Sequence, residues 1–228
     1  MRLSTPRGSC TGFFLTHGQH TGLCAIATAA HVISQAHYWE EPIRIEHTEP
    51  GKSALLRHGN RAIFVHDDDT AAIVLPKGEL PFPIASLPLI EKGQRLRVGN
   101  EIAWLGFPAI PGADLCFFGG RVSAWLEQES AYLVDGVAIN GVSGGPAFYI
   151  KKGRAITIMG VVSAYAPNRA TGETLPGLSV VRSVRNLHDV VQDLSSLDQA
   201  KAQETPPASV APAADLKPPG EQQTGRTT

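Results

Sequence analysis

The chain has 228 residues, 43% hydrophobic and 18% charged, with 23 Gly and 17 Pro. That is apolar material for one turn-rich globular unit of about 200 residues, and a formal charge of -1 gives no general attraction to nucleic acid or to an anionic membrane. Three cysteines, Cys10, Cys24 and Cys116, form an odd set without metal-ligand spacing, so neither a disulfide framework nor a zinc site is signalled and the thiols are expected to be reduced and mostly buried.

In chain order, residues 11–16 and 23–28 are apolar runs flanking a polar, glycine-containing stretch, which predicts a strand, a turn and a strand. Residues 29–33 predict a short helical turn. Further strands are predicted at 43–47, 61–66 and 71–75, separated by Pro42, Pro50-Gly51 and Asp67-Asp68-Asp69. No long stretch of 3.6-residue periodicity occurs here, so this half reads as all-β. Residues 76–88 carry four prolines and form a connector, because proline cannot continue a central strand. Short apolar runs resume at 95–98, 101–105, 115–118, 122–125, 131–134, 147–150, 156–164 and 178–181, the spacing of two packed barrels or sandwiches. Residues 183–194 place Val184, Leu187, Val190, Val191 and Leu194 at helical spacing. From about residue 197 the chain turns to Ala, Pro, Gln, Lys and Thr without aromatics, too little apolar surface to offset ordering. The expected organisation is an N-terminal β-barrel over 1–88, a C-terminal β-barrel with its helix over 89–196, and a disordered Pro/Ala-rich tail over 197–228. No apolar run reaches the length of a membrane span, and no charged stretch followed by an apolar one stands near Met1. A cytoplasmic protein is the expectation.

Residues 140–148 read Asn-Gly-Val-Ser-Gly-Gly-Pro-Ala-Phe. Glycine costs backbone entropy wherever it is not needed, so a serine set among three glycines reads as a constructed turn. Glycines before Ser143 let successive N–H groups converge, as stabilising an acyl-transfer oxyanion requires. Glycines after it leave room for a substrate. Such a serine needs a base and a group that orients the base. Of eight histidines, His31 follows a strand within Ala27-Thr28-Ala29-Ala30-His31, where small residues pack a turn tightly. His17, His20, His37, His47, His58, His66 and His188 lie in polar or turn-like surroundings. Asp69 directly precedes the apolar run 71–75 and is the favoured orienting acid, with Asp67 and Asp68 as competitors.

Four blocks in this order, Thr11-Gly12-Phe13, Thr28-Ala29-Ala30-His31-Val32, Asp69-Thr70-Ala71-Ala72-Ile73 and Gly141-Val142-Ser143-Gly144-Gly145-Pro146, resemble a trypsin-like serine protease of the chymotrypsin fold, nearest to the bacterial trypsin-like peptidases and the HtrA protease domain. The resemblance covers residues 8 to 194 and is reinforced by 98–102, 106–108, 160–163 and 176–177. It implies an all-β fold of two six-stranded antiparallel β-barrels with a C-terminal helix. It implies Ser143 as nucleophile, His31 as general base and acid, Asp69 as the group fixing the imidazole, and the N–H groups of Gly141 and Ser143 as the oxyanion hole. Ser163-Ala164-Tyr165 would pair with the substrate backbone, and Val137, Ala138 and Tyr165 would wall the pocket for P1, the residue before the cleaved bond. The implied partner is a protein or peptide substrate, with no metal or organic cofactor. Two departures stand out. Val142 occupies the position of the aspartate that receives a new N-terminus in zymogen-activated members, and no acid occurs at Val137, which favours a small or medium apolar P1 residue over Arg or Lys.

Three other readings compete for these residues. Gly141-Val142-Ser143-Gly144-Gly145 also fits the nucleophile elbow of α/β-hydrolase esterases, but those need the acid and histidine after the serine, where His188 is the only histidine. Gly51-Lys52-Ser53 hints at a phosphate loop, but Glu46 stands where the earlier glycine belongs. The remaining rival is a protease fold that grips peptides without cutting them, or that cuts only when an activating partner forms the oxyanion loop.

Overall fold

The computed structural model describes residues 1–49, 51–78, 80–83, 85–150, 156–167 and 174–204, with side chains omitted at 165–167 and 174–176. The first half runs β1 (Arg2–Thr5), β2 (Gly8–Thr11), β3 (Phe13–His17), β4 (Leu23–Ala29), helix α1 (Ala30–Tyr38), β5 (Ile43–Glu46), β6 (Ser53–Leu56), β7 (Ala62–Val65) and β8 (Thr70–Pro76). These strands pair as two four-stranded antiparallel sheets, ordered β2-β1-β5-β6 and β3-β4-β8-β7. Only Gly12 separates β2 from β3, and the chain changes sheet there. A Cβ on Gly12 would lie 2.8 Å from Leu3 Cδ1 and 3.0 Å from Ile26 Cγ2, so glycine allows the two sheets to close on each other. Leu3 and Cys10 of one sheet, Cys24, Ile26 and Ile73 of the other and Ile33 of α1 share one apolar core.

The second half comprises β9 (Glu101–Gly106), β10 (Cys116–Leu126), β11 (Ala131–Asp135), β12 (Pro146–Ile150), β13 (Ile156–Pro167) and β14 (Thr174–Ser183). They close into a six-stranded barrel ordered β10-β11-β14-β13-β12-β9. Closure removes free strand edges and surrounds Trp104, Tyr132, Met159, Val161 and Val181, all essentially inaccessible. The chain ends its described part in α2 (Leu187–Glu204), which buries Leu187, Val190 and Leu194. These residues join Phe13, Leu15, Ala25 and Ala27 of the first half and the barrel interior in one continuous core. The halves are therefore fused through shared apolar burial rather than tethered.

Several expectations are corrected. β1, β2 and β6 add to the expected strands; each is four residues long and carries only one or two buried residues. Residues 95–98 form no strand; 95 and 96 follow the turn closed by Gln94 N–H to Glu91 O, and 97 and 98 open the turn closed by Asn100 N–H to Arg97 O. The runs at 115–118 and 122–125 belong to one long strand, β10, whose register slips between Val122 and Ala124. Residues 197–204, expected to belong to the tail, instead continue α2. Composition hid this because the anchor is polar: Asp198 accepts hydrogen bonds from the N–H groups of Gln19 (3.0 Å), His20 (2.8 Å) and Thr21 (2.8 Å) in the β3–β4 turn. Residues 205–228, the rest of the expected tail, lie outside the described ones. Cys10 and Cys24 are buried, as read from the sequence, while Cys116 is partly exposed. No described helix is long and apolar enough to cross a membrane.

Candidate active site

Antiparallel register brings His31 and Asp69 together. Ala29 at the end of β4 pairs with Thr70 at the start of β8, so the residues just beyond β4 meet those just before β8. Helix α1 begins with Ala29 as its N-cap, which has no side-chain oxygen to offer. A helix leaves its first N–H groups without internal partners, and here Asp69 supplies them. Its main-chain oxygen accepts from Ala30 N–H at 3.0 Å and its Oδ1 accepts from His31 N–H at 2.8 Å. The carboxylate then turns to the ring, with His31 Nδ1 at 3.1 Å from Oδ1 and 2.9 Å from Oδ2. Ser163 Oγ in β13 donates to the same Oδ2. Burial pushes the Asp69 carboxyl pKa up, but the hydrogen bonds from His31 and Ser163 and the charge of a protonated His31 outweigh it and hold the group below the ordinary carboxylate range. The imidazole is about half exposed and the carboxylate about one-fifth, so the carboxylate is sheltered and the ring is open to the surface.

Asp69 sits at φ 62, a left-handed conformation that aspartate tolerates better than most residues. Asp68 locks it. Asp68 Oδ1 accepts from Thr70 N–H at 3.2 Å and Thr70 Oγ at 2.7 Å, and Asp68 Oδ2 accepts from Asn186 Nδ2 at 2.8 Å, a strut from the approach to α2. Two of the three competing aspartates thus have distinct places: Asp69 on His31, Asp68 on the turn itself.

Ser143 lies in the loop joining β11 to β12, which ends in two tight turns in succession. Val142 N–H donates to Ile139 O and Gly145 N–H to Val142 O, both at 3.0 Å. The third residue of each turn, Gly141 and Gly144, has φ 89 and 87, the type II requirement that selects glycine. Space imposes the same choice, because a Cβ on Gly144 would stand 2.0 Å from Thr11 O, and one on Gly141 2.3 Å from Phe107 O.

The backbone donors of this loop divide into two sets. Val142 and Gly145 close the turns and Gly144 N–H donates to Val162 O at 2.7 Å. Within residues 141–145 the N–H groups of Gly141 and Ser143 have no acceptor among the described residues. In a planar trans peptide the C=O and N–H point in opposite directions. Asn140 O is held by Ala109 N–H at 2.8 Å and Val142 O by Gly145 N–H, so the N–H groups of Gly141 and Ser143 are turned away from those anchors. The Ser143 hydroxyl donates to Ser163 O at 2.9 Å and makes no hydrogen bond to His31 in this geometry.

Val137 is half exposed, Ala138 is packed into the barrel core, and Ala164 is exposed on β13. Tyr165 pairs with Ser179 through its backbone, and its side chain lies outside the described residues. Sequence reading missed Thr11, Thr28 and the hydroxyl of Ser163. Thr28 Oγ donates to Thr11 O at 2.7 Å, and Thr11 reaches the Ser143 loop. A signal existed, since Thr28 and Ser163 each follow a run of apolar residues within a strand, and a buried hydroxyl needs a partner. Among the described residues no group of three or more His, Cys, Asp or Glu side chains is arranged to hold a metal ion.

Two antiparallel β units, with the His31–Asp69 pair on the first and the glycine-framed Ser143 loop on the second, have the architecture of the chymotrypsin fold. Residues 10–158 match the model of the trypsin-like peptidase domain, and the chain belongs to that family of serine proteases. No curated protein matches it in sequence. Solved structures similar to it include an inactive form of Rv3671c from M. tuberculosis H37Rv (16% identity, TM-score 0.53, covering 91% of this chain and 88% of that one). Deg5 is similar at 17% identity and TM-score 0.59, covering 86% and 88%. A serine endoprotease from Yersinia pestis is similar at 18% identity and TM-score 0.57, covering 85% of this chain and 61% of that one.

Proposed function

We propose that this protein is a serine endopeptidase working through Ser143, His31 and Asp69. His31 Nε2 takes the proton from Ser143 Oγ as that oxygen bonds to the peptide carbonyl carbon, and the displaced π pair forms an oxyanion against the N–H groups of Gly141 and Ser143. Collapse breaks the C–N bond, His31 returns the proton to the leaving amine, and an acyl-enzyme remains on Ser143. Water then repeats the sequence, losing a proton to His31 and freeing the carboxylic acid. Asp69 holds Nδ1–H throughout, which presents Nε2 to the serine and steadies the imidazolium.

The observation that carries this reading is the pair of N–H groups, at Gly141 and Ser143, that have no acceptor among the described residues. Peptide binding alone would not require them, whereas a tetrahedral oxyanion does. The resting bond from Ser143 to Ser163 O favours a refinement of the same reading. A substrate strand pairing along Ser163, Ala164 and Tyr165 would offer its own N–H to Ser163 O and release the serine towards His31. One such hydrogen bond is worth about 1 kcal/mol net, less than a tenfold change in rate. It is too weak to silence the enzyme. An apolar residue, Val137, in place of an acid favours a small or medium apolar P1 residue over Arg or Lys.

The test is intact-mass measurement after exposure to a fluorophosphonate. One adduct is expected on the wild-type protein and none on Ser143→Ala. A wild-type protein that stays unmodified under conditions that label trypsin would overturn the proposal.

A further inference from the structure

The reading of Gly141 and Ser143 as oxyanion donors raises the question of what fixes those two residues, since glycine at positive φ imposes little conformation of its own. Thr11, at the end of β2 in the other half of the molecule, touches both. Its N–H donates to Ser143 O at 2.9 Å, and its hydroxyl donates to Gly141 O at 2.8 Å. The same hydroxyl accepts from Phe107 N–H at 2.9 Å, and Thr28 Oγ donates to Thr11 O at 2.7 Å. Thr11 is 1% exposed, and the bare edge of Gly106 makes room for it: a Cβ there would come within 3.1 Å of Thr11 Oγ.

We propose that Thr11 is the positioning residue of the oxyanion hole, gripping by their carbonyl oxygens the two residues whose N–H groups form it. The hydroxyl is suited to this because it both donates and accepts. Donation to Gly141 O fixes the outgoing peptide of Gly141, and acceptance from Phe107 ties the grip to the end of β9. Loss of the hydroxyl leaves the Gly141 carbonyl and the Phe107 N–H buried without partners, and the glycine loop relieves both by rotating, which turns the Gly141 N–H out of line. Thr11 touches neither substrate nor reacting atoms. Its action passes entirely through the loop.

This inference rests on the proposed serine mechanism, and the experiment separates the two. Second-order rates of labelling by a fluorophosphonate are measured for wild type, Thr11→Val, Thr11→Ser and Thr11→Cys. The downfield Nδ1–H proton of His31 is followed by NMR in each. Thr11→Val is expected to label about 10²–10³ more slowly, the usual cost of a lost oxyanion donor, with the His31 proton unchanged. Thr11→Ser restores the rate to within a few-fold. Thr11→Cys, with its weak S–H donor, falls between them and decides the matter if the valine protein does not fold. Rates that follow side-chain volume instead of hydrogen-bonding capacity, or a folded valine variant labelling at the wild-type rate, overturn the role of Thr11 alone. An unlabelled wild-type protein overturns the serine mechanism and this role together.

Discussion

The turn that carries Asp69 and the loop that carries Ser143 are held in opposite ways. In the first, side chains do the holding: Asp68 gathers Thr70 and the Asn186 strut, while Asp69 caps α1 and binds the ring it serves. A non-glycine residue is kept at φ 62 by this network. In the second, the absence of side chains is the device. Gly141 and Gly144 admit positive φ and close approach, and main-chain bonds, with the one hydroxyl of Thr11, set the shape. The acid turn therefore fails by losing a charge, and the serine loop by gaining a methyl.

Asp69→Asn is the harsher break. The amide oxygen still accepts from His31 N–H, but the amide NH₂ faces Nδ1 and inverts the imidazole tautomer, so Nε2 arrives protonated at Ser143. A rate loss of about 10⁴ is expected, measured as fluorophosphonate labelling, with the fold retained by circular dichroism. A loss below tenfold would mean that the carboxylate serves the helix cap more than the base. Gly141→Ala comes next. Its Cβ would stand 2.3 Å from Phe107 O and 2.9 Å from Ala109 N at a φ of 89, so the loop must move. Labelling is expected to fall about 10²–10³ while the His31 Nδ1–H proton stays in place. If that proton moves too, the two regions are coupled more tightly than their separate bonding implies.

How much of this was legible in the sequence follows from the same contrast. Glycines around Ser143 announced the second loop, because glycine at such density has a backbone cause. His31 and Asp69 were legible from their places at the ends of apolar runs. Thr11 entered the reading only as part of a family block, and Ser163 only as backbone, since a hydroxyl's partner lies far along the chain: Thr11 and Gly141 are 130 residues apart. The spacing of apolar runs in the second half fits a barrel or a sandwich alike, and only the family resemblance points to the closed barrel. β1, β2 and β6 escaped because each hides so few side chains. Residues 197–204 were misread because apolar content says nothing of a carboxylate that binds a distant turn.

That carboxylate repeats the Asp69 device away from the chemistry. Asp198 takes the N–H groups of Gln19, His20 and Thr21 and the Thr21 hydroxyl at 3.1 Å, as Asp69 takes those of α1. Hydrogen bonds from the Thr21, His20 and Gln19 backbone hold its carboxyl at about 2. A folded-state pKa below the unfolded value of about 4 means that the unfolded chain binds the proton more readily, so stability rises with pH across that window. The contribution is complete above about pH 4 and lost as the pH falls through about 2. Asp198→Asn is accordingly expected to lower the thermal midpoint at neutral pH, with the deficit shrinking as the pH is brought from 4 to 2. Labelling of Ser143 should proceed at the wild-type rate while the protein is folded, because the turn it ties lies on the side of β3 and β4 away from their Thr11 and His31 ends. A deficit that stays constant down to pH 2 would show that the lost interaction is packing of α2 and not the charge. A slowed labelling rate would show that the docking of α2 reaches the site, which would make the acid turn and the serine loop parts of one assembly.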